Sequence, residues 1–208
     1  MRFFISYLLI ACICFFGCGQ KDPVSPSKNA SLSSVQNSDD LDLATLGAGC
    51  YWCIEAVLLQ IDGVESVESG FMGGHVVNPS YEDVCSKKSG HIEVVQVRFD
   101  ASKIPYEHLL AWFWKLHDPT SWDKQGGDSG PQYRSAIFYH SDAQRDTALA
   151  SLKAAEKELD AKVVTEVRQL AVFYPAESQH QNYYERNKSR GYCRFVIAPK
   201  LEKLGLKK

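Results

Sequence analysis

A largely apolar stretch, residues 41–46, runs into Gly47-Ala48-Gly49 and then into Cys50, which opens a helical pattern. A strand that turns into a helix across two glycines commits the chain to a β-to-α connection, and so to a sheet with helices laid on it. The same turn puts a thiol at a helix N-terminus, where unpaired N–H groups and the positive end of the peptide dipoles favour the thiolate. Tyr51 and Trp52 follow directly, so an apolar surface can sit beside the nucleophile. The segment points to cysteine redox chemistry on a partly apolar substrate. For one isolated cysteine, a small buried residue at a strand–helix turn is the commoner use.

Periodicity extends this beginning into a full domain. Helical spacing predicts a helix over 51–60, ended near Asp62-Gly63. Val64–Met72 alternates as a strand ended by Gly73-Gly74, and 75–90 reads as a polar loop. Ile92–Phe99 alternates strictly, so Glu93 shares one face with Val95, Val97 and Phe99. Pro105 stands at a favoured first-turn position for a helix over 106–117. A glycine-rich loop then leads to a strand over 132–139. Ser141 caps a helix over Asp142–Leu159, a last strand spans 163–170, and the tail is largely irregular with a helical patch near 179–187. The order βαββαβ followed by αβ predicts an α+β, two-layer sandwich. Its first six elements form a ferredoxin-like split βαβ plait, with an extra helix and strand behind.

The N-terminus differs in kind. One positive charge precedes an almost wholly apolar run, residues 3–16, that ends in Gly17-Cys18-Gly19. It is short for a membrane span and reads as a secretory signal, residues 1–18. Its end resembles a bacterial lipoprotein signal with Cys18 as the acylated residue, although Phe16 is bulky for that place. Residues 19–40, rich in Ser, Asn, Asp, Lys and Pro, read as a flexible tether to a domain over 41–208. The expectation is an exported, lipid-anchored protein of the bacterial cell envelope. The formal net charge of −2 gives no sign of nucleic-acid binding. Cys12 and Cys14 would leave with the signal, so Cys50, Cys53, Cys85 and Cys193 remain for the domain.

Further segments join the opening motif: Gly73-Gly74, Asn78-Pro79-Ser80-Tyr81-Glu82-Asp83, Gly90-His91-Ile92-Glu93, Gly127-Asp128-Ser129-Gly130-Pro131-Gln132-Tyr133-Arg134, and Gln179-His180-Gln181-Asn182-Tyr183. In this order and spacing they resemble peptide methionine sulfoxide reductases of the A type over nearly the whole domain. The resemblance implies that Cys50 is the nucleophile attacking the sulfoxide sulfur and that Glu93 is the general acid. A raised pKa for Glu93 also follows from its apolar strand face. Tyr81 and Tyr133 match hydroxyls that bond the sulfoxide oxygen, Asp128 an acidic residue of the same site, and His180 an organising position. Tyr51 and Trp52 match the aromatic pair that receives the substrate methyl. Tyr51 stands where the family usually has Phe, a change that is tolerable if its hydroxyl reaches water.

The family also implies a sulfenic acid on Cys50, closed to a disulfide by a second thiol. Cys193 in the tail is the preferred resolving residue and Cys53 the competitor; Cys85 reads as structural. Reduction then needs an external, thioredoxin-like dithiol. No bound cofactor and no metal is expected, and the default state is a monomer. Two other classes compete on the cysteines alone: a thiol–disulfide oxidoreductase using Cys50 and Cys53, which leaves Glu93, Tyr81 and Tyr133 unexplained, and a zinc-stabilised module, which lacks a second close cysteine pair.

Overall fold

A computed structural model describes residues 41–208. The signal-like segment, the tether and Cys18 lie outside the described residues. In chain order the elements are β1 Asp42–Ala48, α1 Tyr51–Leu58, β2 Val64–Met72, α2 Tyr81–Cys85, β3 Ile92–Phe99, α3 Tyr106–Leu116, β4 Lys124–Gln125, β5 Asp128–Ser129, β6 Ser135–Tyr139, α4 Asp142–Leu159, β7 Glu166–Gln169, β8 Phe173–Pro175, α5 Tyr183–Arg186 and α6 Ala198–Lys203.

Six strands form one sheet in the order β7-β6-β1-β3-β2-β8, while β4 and β5 make a separate two-stranded ribbon. β3 lies between β1 and β2 and is antiparallel to both, as a split βαβ requires. β6 is antiparallel to β1, and β7 runs parallel to β6. The alternation of the strands sorts their side chains. Leu46, Val95, Val97, Phe99 and Ile137 join α1 residues Ile54, Val57 and Leu58 and α3 residues Leu109, Leu110 and Phe113 in the main core. Met72, Ile92, Val94, Ala136 and Phe138 form a smaller cluster apart from it, with Phe173 packed against them. Each fully buried aliphatic or aromatic side chain of the main core contributes about 1.5–3 kcal/mol, which makes that cluster the principal source of stability.

The structure departs from the sequence expectations in three places. The 75–90 segment is not all loop, because Ser80 and Asp83 form a reciprocal capping box that starts α2. The sixth strand begins at Ser135 rather than 132, since residues 131–133 wind into a 3₁₀ turn behind Gly130. The C-terminal tail is ordered: it pairs β8 with β2, forms α5, and passes through a π-helical turn, Cys193–Ile197, into α6. Long-range bonds hold it. The Gln181 side chain accepts from Ser69 N–H at 2.9 Å and donates to Ser69 C=O at 2.7 Å, and Gln60 exchanges two bonds with Lys207.

Candidate active site

The turn between β1 and α1 places Cys50, the expected nucleophile. Gly49 has φ +87°, and a Cβ there would lie 2.8 Å from the Gln125 side chain, so glycine is needed for both conformation and space. Cys50 follows as the N-cap of α1 and is 8% exposed. Glu93, on the neighbouring β3, reaches under the helix: its Oε2 accepts the Tyr51 N–H at 3.0 Å. Burial pushes the Glu93 carboxyl up to about 8, against the pull of that N–H, so it keeps its proton at neutral pH.

The seven residues expected to bind or transform substrate (Cys50, Tyr51, Trp52, Tyr81, Glu93, Asp128 and Tyr133) line one cavity of about 200 Å³. Tyr192 completes it and was not expected. Its hydroxyl donates to Asp128 Oδ2 at 2.6 Å and lies 3.7 Å from Cys53 Sγ, so it joins the β4–β5 ribbon to the thiols. Its only sequence signal is its place beside Cys193. The aromatic wall is built from both ends of the chain: Trp52 stacks on Tyr183 at 3.7 Å between ring centres, and His180 stacks on Tyr81 at 4.4 Å. His180 also stacks on Trp52, at 5.6 Å between ring centres. Tyr51 corrects an expectation. It is fully buried against Phe71, and its hydroxyl has no hydrogen-bond partner, so it does not reach water.

Among the described residues Cys50, Cys53, Cys85 and Cys193 are free thiols. Burial holds the Cys50 thiol well above the usual range, helped by Cys53 and the neighbouring Glu93, so burial outweighs the favourable helix start. Cys53, one helical turn on, is drawn down to about 7 by its hydrogen bond with Cys50, with Lys200 and Tyr192 assisting. The two thiols titrate together, with Cys50 pushed up and Cys53 drawn down by their shared contact. Cys193 is wholly buried, and burial raises its thiol above the usual range, with Cys53 adding to the rise. Cys85 sits on α2 beside the Tyr81 hydroxyl. Among the described residues no group of three or more His, Cys, Asp or Glu side chains is arranged to hold a metal ion.

Thiol chemistry beside a carboxyl that keeps its proton is the work of a cysteine-dependent oxidoreductase. The family model of peptide methionine sulfoxide reductase matches residues 42–208. A peptide methionine sulfoxide reductase MsrA of Saccharolobus solfataricus is 50% identical over 163 residues, covering 78% of this chain and 92% of its own. Among solved structures, reduced Mxr1 of Saccharomyces cerevisiae superposes with a TM-score of 0.72 at 30% identity, over 76% of this chain and 91% of that one. Methionine sulfoxide reductase A of Corynebacterium diphtheriae gives 0.71 at 30%, over 82% and 86%. Mxr1 in complex with Trx2 shares the fold at 23% identity, with a TM-score of 0.51. The chain belongs to the peptide methionine sulfoxide reductase family and reduces methionine sulfoxide with thiols as the reductant.

Proposed function

We propose that the domain reduces the S epimer of methionine sulfoxide, free or in proteins, by nucleophilic attack of Cys50 on sulfur with Glu93 as proton donor. The observation that carries this reading is the buried, protonated Glu93 bonded to the Tyr51 N–H, one residue from the nucleophile. As Cys50 attacks, its proton passes to the Cys53 thiolate and the Glu93 proton goes to the sulfoxide oxygen. Tyr81 and Tyr133 hydroxyls steady the negative charge growing there. Asp128 holds Tyr192 over the thiols, and Tyr51 and Trp52 receive the methyl group. Methionine leaves, and Cys50 is a sulfenic acid.

Cys53 then attacks the Cys50 sulfur. A disulfide forms, the S–O bond breaks and water departs. Its two hydrogens derive from the Cys50 thiol and Glu93, and solvent reprotonates the carboxylate. Cys50 and Cys53 stand one helical turn apart and line the same cavity, which favours Cys53 over Cys193 as the first resolving thiol. Cys193, beside Cys53, stands next in line. A thioredoxin-like dithiol regenerates the enzyme, a reading supported by the capture of Mxr1 with Trx2. The apolar run ending at Gly17-Cys18 supports export and a lipid anchor on Cys18, which mass analysis of Cys18 peptides from membranes would test.

The test of the chemistry uses separated sulfoxide epimers of a methionyl peptide and dithiothreitol. Reduction of the S epimer alone, lost in Cys50→Ser, is expected. Turnover of neither epimer by folded protein would overturn the reading.

A further inference from the structure

Cys50 faces two cavities. The substrate cavity of about 200 Å³ is lined by Cys50 and not by Cys53. A second, of about 730 Å³, is lined by both Cys50 and Cys53. Cys50, Asp128 and Tyr192 line both and so form the wall between them. A disulfide between Cys50 and Cys53 would therefore show its Cys53 sulfur to the second cavity alone. That cavity has the size of a small-molecule site.

Its charge is distinctive. Lys115, Lys200 and Lys203 line it, and none of the three is in an ion pair with a described residue. Two carboxylates are present as well. Asp118 is turned onto the Thr120 N–H and hydroxyl, and Asp128 is bonded to Tyr192. Lys115 lies over the Trp112 ring at 5.2 Å, and Lys200 and Lys203 carry no ion pair among the described residues, so the three ammonium groups can receive an outside anion. The Lys200 ammonium also favours a thiolate on Cys53.

We infer that this lysine-lined cavity is a reductant port that binds small, carboxylate-bearing thiols and guides them onto the Cys53 sulfur. The inference rests on the proposed Cys50–Cys53 disulfide. The incoming thiolate forms a bond to Cys53 Sγ, the S–S bond breaks, and Cys50 leaves as the thiolate. A second thiolate attacks the small-molecule sulfur of the mixed disulfide and releases Cys53. Two thiols are oxidised to one small disulfide, and the enzyme disulfide is reduced by the same two electrons. Methionine sulfoxide thus reaches Cys50 through one opening and the reductant reaches Cys53 through the other.

The test oxidises the full-length chain with one equivalent of sulfoxide peptide and follows the return of titratable thiols. The reductants are mercaptosuccinate (two carboxylates), 2-mercaptoethanol (neutral) and cysteamine (cationic). Wild type is compared with Lys115→Glu/Lys203→Glu, and taking the ratio for each thiol cancels its intrinsic reactivity. Mercaptosuccinate should slow about tenfold and lose most of its salt dependence, 2-mercaptoethanol should stay within about twofold, and cysteamine should speed up. Equal ratios for all three thiols would overturn the port while leaving the catalytic reading intact. A chain that loses no thiols on meeting the sulfoxide would overturn the catalytic reading, and the port with it.

Discussion

Two buried glutamates, Glu55 within α1 and Glu93 beside its start, are used in opposite ways. Glu93, 1% exposed, accepts one backbone N–H, that of Tyr51, and keeps its proton up to about 8. Glu55, 2% exposed, accepts two, from Asn182 at 2.9 Å and Tyr183 at 3.2 Å. Burial raises both carboxyls, but at Glu55 two N–H donors oppose the rise by stabilising the charged form. One N–H leaves a proton available for chemistry; two make an anchor that ties the C-terminal segment to α1. The same side chain, equally buried, becomes an acid or a fastener according to the donors supplied to it.

Four substitutions bear on this contrast. Cys50→Ser removes the nucleophile at the acid's end of the helix and should cut methionine formation by about 10⁴-fold or more, measured by chromatography of the product, with little change in thermal midpoint. Glu93→Gln should slow reduction about 10²–10⁴-fold. It keeps an oxygen for the Tyr51 N–H, so the fold survives. In wild type, activity should fall as pH rises through about 8, where the acid form is lost. Stability follows the same group. Unfolded Glu ionises at about 4.3, so the folded chain holds an extra proton between there and about 8 and wild type loses stability across that window as pH rises. The Gln variant should lack this slope in thermal melts.

Glu55→Ala sharpens the contrast from the other side. It strands two partly buried N–H groups, at up to about 1–3 kcal/mol each, and should lower the thermal midpoint and expose the tail to protease. If it instead cut the rate as deeply as Glu93→Gln at unchanged stability, the division between acid and anchor would be wrong. The smallest effect belongs to Tyr51→Phe. It deletes an unpartnered buried hydroxyl, so activity should stay within about twofold and stability should rise by about 1 kcal/mol or less.

What the sequence made legible follows from how local the cause is. The face occupied by Glu93 follows from strand alternation, and the helix Asp142–Leu159 from its Ser141 cap and its length; both appear as expected. α2 carried a readable signal in Ser80 and Asp83, a capping pair three residues apart, masked by the turn residues around it. The tail carried only its helical patch near 179–187, which appears as a 3₁₀ turn and α5. Its order depends on Glu55, Ser69 and Gln60, all more than a hundred residues away. Tyr192 is hidden for the same reason, because its partners Asp128 and Cys53 lie on other elements. Nor does sequence foretell that burial would outweigh the helix start at Cys50 and make Cys53 the more acidic thiol.

The rims of the sheet bear on the company such a protein keeps. The outermost strands are β7, four residues long, and β8, three residues long and ending at Pro175, which has no N–H to offer. A repair enzyme meets damaged, partly unfolded chains whose backbones seek any open strand. With so little unpaired backbone at its borders, the molecule gives those chains scant template on which to add, and it can touch its clients without joining their aggregates.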